Sequence, residues 1–126
     1  MIFKGYSRTF STQGEQQYQT IGEFWNEMSK LFGIENLRGL GFNWTDSTIE
    51  YVIGLKNNQP MNMDITDEQL LWKEIVIPDS EWMKYHGQTE QLGELYSKIY
   101  NDGVLTYEIE EFNEDGTCDI SITRNK

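Results

Sequence analysis

Apolar residues fall on a helical period in two stretches of the chain and on a period of about two in most of the rest. In the first helical stretch Ile21, Phe24, Trp25, Met28, Leu31 and Phe32 recur at i, i+3, i+4, i+7, i+10 and i+11. That is one continuous stripe, ended by Gly33. Ahead of it, "TQGE" (12–15) has the Ser/Thr-x-x-Glu pattern of a capping box, in which each side chain satisfies the other's free backbone N–H. In the second stretch Leu92, Leu95, Tyr96, Ile99 and Tyr100 form a stripe that stops at "NDG" (101–103). Between and around these helices the pattern predicts strands at "IFKGYSRTF" (2–10), "LRGLGFNW" (37–44) and "TIEYVIGL" (48–55). Ile49, Tyr51, Ile53 and Leu55 share a face by strict alternation. "LLWKEIVIP" (70–78) and "EWMKYHG" (81–87) read as extended chain broken by Pro78. "VLTYEIEEF" (104–112) and "CDISI" (118–122) read as a hairpin across "NEDG".

Each half thus runs strand, helix, strand, strand. The helices share a phrase, "IGEFWNEM" (21–28) and "LGELYSKI" (92–99), with Gly and Glu identical and large apolar residues at matching places. The pattern predicts an α+β domain spanning 1–126, duplicated from a βαββ unit, with repeat one about 1–56 and repeat two about 70–124. The polar stretch "KNNQPMNMDITDEQ" (56–69) joins the halves.

Composition narrows the function. Ten Lys and Arg against 21 Asp and Glu leave a net charge of −11. This disfavours a nucleic-acid binder, which needs cations to displace condensed counterions. It is compatible with a solubilising acidic surface, a cationic ligand or a basic protein partner. A single cysteine, Cys118, permits no internal disulfide and points to a reducing, cytoplasmic setting. No apolar run approaches membrane-spanning length. Four Trp, seven Tyr and six Phe are a rich aromatic supply for a chain of 126 residues, and part of it is expected to line a site.

In "LTYEIEEF" alternation sets Leu105, Tyr107 and Ile109 on one face and Thr106, Glu108, Glu110 and Phe112 on the other. The apolar set is expected to face the helices. The carboxylate face then meets either solvent or, if the units curve around a cleft, an aromatic-lined groove. In such a groove ring faces and carboxylate attract a cation together.

Four landmarks carry a family resemblance: "IGEFW" (21–25), "IEYVIG" (49–54), "IPDSEWMKYHG" (77–87) and "IEEFNEDGTCDISI" (109–122). In order and spacing the chain resembles the GyrI-like family, the AraC-type effector-binding domain, here in a standalone form without a DNA-binding module. The resemblance implies two SHS2 βαββ repeats forming an antiparallel sheet with two helices and a central ligand groove. It puts Glu110 in the place of the family's ligand-contacting acid, with Phe112 one strand repeat further along the same face. Phe42 and Trp44, on a shared face of the corresponding first-half strand, and Trp82 and Tyr85, before the second helix, fall where the family places pocket aromatics. The departures are Ile109 where Phe is usual, Phe112 for Tyr, and an ending, "ISITRNK", without Ile-Pro-Val.

Other chemistries find little footing. His86 is the lone histidine and accompanies no nucleophile motif. There is no metal-ligand cluster, no Gly-rich phosphate loop, and "DITDEQ" (64–69) lacks calcium-loop spacing. Neither cofactor nor metal is expected. Three functions remain. The first is a small-molecule binding domain that senses or sequesters an amphipathic, cationic or planar toxic compound, as multidrug-binding transcription regulators do. The second, also implied by the resemblance, is a hydrolase of reactive cyclopropane-bearing antibiotics with Glu110, helped by Glu108, directing water. The third is an acidic inhibitor or adaptor that docks on a protein such as DNA gyrase.

Overall fold

The computed structural model describes residues 1–62, 70–79, 81–101 and 105–124. Its elements are β1 (Ile2–Ser11), α1 (Gln17–Phe32), β2 (Leu37–Phe42), β3 (Thr48–Leu55), β4 (Leu71–Val76), β5 (Met83–Gln88), α2 (Leu92–Asn101), β6 (Leu105–Phe112) and β7 (Thr117–Arg124). The strands form one antiparallel sheet in the order β4-β1-β3-β2-β6-β7-β5. The fold is α+β. About the central β2–β6 pair, β1-β3-β2 on one side answers β5-β7-β6 on the other, and β4 is added at the β1 edge. "DITDEQ" and part of "NDG" lie outside the described residues. Among the described residues no helix is long and apolar enough to cross a membrane.

One face of the sheet lies beneath both helices. Phe24, Trp25 and Met28 of α1 pack onto Phe10, Ile49, Tyr51, Ile53 and Phe112. Tyr96 and Ile99 of α2 pack onto Leu105, Ile120 and Ile122. The stripes therefore do as their periodicity predicts, with one exception. Leu31 is 60% exposed, because it sits roughly 80° from the stripe's centre at about 100° per residue and in the last turn of α1. Gly33 closes that helix at φ 82°, its N–H donating to the Ser29 carbonyl, a backbone conformation that glycine adopts without strain.

The capping box does not form. Gly14 and Glu15 both take positive φ (61° and 58°) in a 3₁₀ turn, and no side chain caps the helix that starts at Gln17. The left-handed pair turns the chain ahead of the helix, so Thr12 cannot reach its first N–H groups. Thr12 instead donates its own N–H to the Ser47 carbonyl.

The other face is also apolar. Phe3, Leu40, Phe42, Val52, Ile77 and Ile109 form a second core, with Trp82 and Tyr107 packed against it. β4 and β5 are the two sheet edges, seven residue steps apart in the chain from Val76 to Met83. Seven steps reach about 25 Å, whereas seven flat strands span about 29 Å. The sheet must therefore curl toward this face, where Ile77 and Trp82 flank the connection.

This second core corrects the expected orientation of β6. Tyr107 and Ile109 point away from the helices, and Glu108, Glu110 and Phe112 point toward them. Leu105 alone of its set joins the helix-side cluster, because the β6–β7 register shifts between Leu105 and Tyr107. The reason lies next door in β2, where Gly39 and Gly41 oppose Glu110 and Glu108. Glycines leave space on the helix side that large polar side chains enter, while the back face supplies apolar partners for Ile109 and Tyr107.

Candidate functional site

A groove of about 270 Å³ opens between α1 and α2, with residues of β3 and β6 on its floor. A Cβ on Gly39 would collide with the Tyr51 hydroxyl and the Trp25 ring, so glycine there lets Tyr51 lie across β2 toward β6. Trp25 Nε1–H donates to Tyr51 Oη (2.9 Å), and the Tyr51 hydroxyl donates to Glu110 Oε1 (2.7 Å). The Tyr100 hydroxyl donates to Glu108 Oε2 (3.1 Å), and Tyr96 hydrogen-bonds both carboxyl groups. The hydroxyls of Tyr51, Tyr96 and Tyr100, the first of them held in place by Trp25, thus hold two carboxyls on residues that are 3% and 6% exposed.

Two neighbouring buried carboxyls cannot both ionise cheaply. Burial, then the charge of Glu110, pushes the Glu108 carboxyl up to about 8 against the hydrogen bonds of Tyr96 and Tyr100. Burial raises Glu110 as well, opposed by Tyr96 and Tyr51. At neutral pH the pair therefore retains a proton. Burial and the nearby carboxylates drive the three tyrosines far above the ordinary phenol range, so all three remain O–H donors. Among the described residues no lysine or arginine lines the groove. The walls are mostly apolar or aromatic, from Ile21, Ile34, Leu92, Tyr18 and Trp44, with Gln17 and Thr89 as uncharged polar members.

Three of the six residues expected at the site come together here. Glu110 and Phe112 lie on the floor, Phe112 edge-on to Trp25 at 4.8 Å, and Trp44 stands on the wall. Phe42 and Trp82 instead lie on the back face, Phe42 stacked on Tyr107 at 6.2 Å. Tyr85 packs beside α2 with Ile120 and Ile122 and does not line the groove. Phe42 and Trp44 were expected to share a face. Asn43 at φ 53° breaks the alternation, so Trp44 returns to the helix side while Phe42 stays behind. Sequence reasoning missed Trp25, Tyr51, Tyr96 and Tyr100 as site residues, treating them as core. The available signal was hydroxyls on apolar stripes, since a buried tyrosine O–H needs a partner, and Glu108 and Glu110 were the acceptors at hand.

No family model matches the chain, and no curated protein does either.

Proposed function

We propose that the chain is a duplicated βαββ (SHS2) domain of the GyrI-like kind that binds a small planar or amphipathic cation in the groove between α1 and α2, so as to sense or sequester it. The strand order mirrored about β2–β6 supports the duplication. One observation carries the ligand class: a buried carboxyl pair on the floor of an apolar, aromatic groove that no lysine or arginine neutralises among the described residues. A cation entering the groove takes the place of the retained proton. The charge of Glu110 then acts where water screens it little, and the rings of Trp44, Tyr18 and Phe112 hold the apolar body. The groove volume, about 270 Å³, sits at the small end of ligand pockets and suits two or three fused rings.

Exchange of a cation for a proton makes the affinity depend on pH. The Glu108 carboxyl, raised to about 8, must lose its proton as the ligand binds. Calorimetric titration with 9-aminoacridine, cationic throughout, is expected to show tightening from pH 6.5 to about 8, approaching tenfold per unit when one proton is released, and then a plateau. Acridine, uncharged over this range with the same outline, should bind more weakly and without the trend. Equal, pH-independent affinity for the two would remove the reason for assigning a cation.

The same pair favours a second reading. One carboxyl kept protonated beside another that ionises first is the arrangement of a general acid with a general base. In a hydrolase of planar electrophiles Glu110 would direct the water and Glu108 would protonate the leaving atom. Under that reading Glu110→Gln abolishes turnover and leaves substrate bound.

A further inference from the structure

The groove leaves unused the cavity on the opposite side of the sheet. It measures about 560 Å³, and Arg38, Trp82, Lys84, His86, Glu111 and Asp119 contribute to its lining. Arg38 dominates it physically. The residue is 8% exposed, its guanidinium lies 4.4 Å from the Phe3 ring centre, and both hydrogen bonds that anchor it run through Nη2, to the Ile2 carbonyl and to Asn58 Oδ1. Nε is buried and has no acceptor among the described residues. No carboxylate among those residues lies within ion-pair distance of it, although Glu111 faces it across the β2–β6 pair. Burial lowers the Arg38 pKa, and the Glu111 charge, acting from beyond ion-pair distance, opposes that only in part; an anion from outside would offset the cost further.

The rest of the lining accords with such an anion. Lys84 projects from β5 and is exposed. Asp119 is already engaged through both oxygens, by His86 Nδ1 at 2.6 Å and by Asn113 Nδ2 at 3.0 Å, so it does not compete for Arg38 or Lys84. Trp82 and Ile109 supply an apolar wall.

We propose that this cavity is a second binding site, for a small anion carrying a carboxylate on a planar ring system, with Arg38 and Lys84 binding the carboxylate and Trp82 packing against the ring. Nη2 is taken by Ile2 and Asn58 and Nε is enclosed, so the guanidinium meets the carboxylate through Nη1, and Lys84 takes the other oxygen. The site is independent of the groove, because the sheet separates them. A ligand of one should therefore leave the other unoccupied.

The test uses 2-naphthoate as probe and the indole N–H signals of the four tryptophans as reporters. Naphthoate is expected to shift Trp82 and to leave Trp25 and Trp44 in place. Lys84→Gln and Arg38→Lys should each weaken it roughly 10- to 100-fold, while Glu110→Gln should not change its affinity. Lys84 is exposed, so its replacement keeps the fold and carries the test even where the Arg38 variant does not fold. Binding that shifts Trp25 or Trp44 instead, affinity unchanged in Lys84→Gln, or no shift at millimolar naphthoate would each overturn the assignment.

Discussion

Raising the pH from about 4.5 to about 8 is expected to destabilise the folded protein on the order of 5 kcal/mol through the groove carboxyls alone. The sign follows from the direction of the shift. In the unfolded chain Glu108 loses its proton near the ordinary carboxylate value, whereas in the folded chain burial and Glu110 hold the proton up to about 8. Over that window the folded state binds more protons than the unfolded state, so stability falls as pH rises. Each unit of displacement is worth about 1.4 kcal/mol. Beneath the window other carboxyls act in the opposite sense. Glu50, which burial alone would raise, is brought below the usual range by Lys73, Ser7 and Asn43, and Asp119 is brought below it by Asn113 and His86. Urea denaturation across pH 4.5–9 checks this, with Glu108→Gln as the control. That variant should lose most of the slope and be the more stable protein at pH 8 and above. A slope retained in Glu108→Gln would assign the effect to the general repulsion of a chain carrying −11.

Element order was legible in the chain because amphipathic periods of 3.6 and 2 differ sharply over eight or more residues. Ile49, Tyr51 and Ile53 lie on one buried face as alternation requires. The face that β6 turns toward the helices was not legible. A period of two states which residues keep company, but a sheet with apolar layers on both sides offers the apolar set two homes. The choice was made by Gly39 and Gly41 on the neighbouring strand, through a pairing that no local pattern reveals. Trp44 was separated from Phe42 by one residue of positive φ at Asn43. Trp82 was lost to the site because it lies where the β4–β5 connection meets the back face, and a chain's crossing from one sheet edge to the other leaves no mark on its periodicity. Glu110 and Phe112 share a strand face as alternation predicts, and that face, though turned toward the helices rather than away from them, meets aromatic rings.

Glu110→Gln is expected to weaken 9-aminoacridine by roughly 1.5–3 kcal/mol, about 10- to 150-fold, the loss of a charge-assisted contact in a site with little water. The amide keeps the outline of the carboxyl and still accepts the Tyr51 hydroxyl, so shape and packing change little. Acridine should lose far less. Glu111→Gln is the internal control, since Glu111 follows in the same strand but lines the opposite cavity. Both variants remove one carboxyl from the protein. Equal effects would mean that overall acidity attracts the ligand and that the groove carboxyl has no special part.

The most direct measurement is where a cation settles. The four tryptophans divide cleanly: Trp25 and Trp44 line the groove, Trp82 packs on the back face, and Trp72 lies on the edge strand β4 against Tyr6. In a ¹H–¹⁵N correlation spectrum, saturating 9-aminoacridine should shift the indole signals of Trp25 and Trp44 and leave Trp72 and Trp82 where they stand. A shift confined to Trp72 or Trp82, or none at any of the four, would contradict a cation site between α1 and α2.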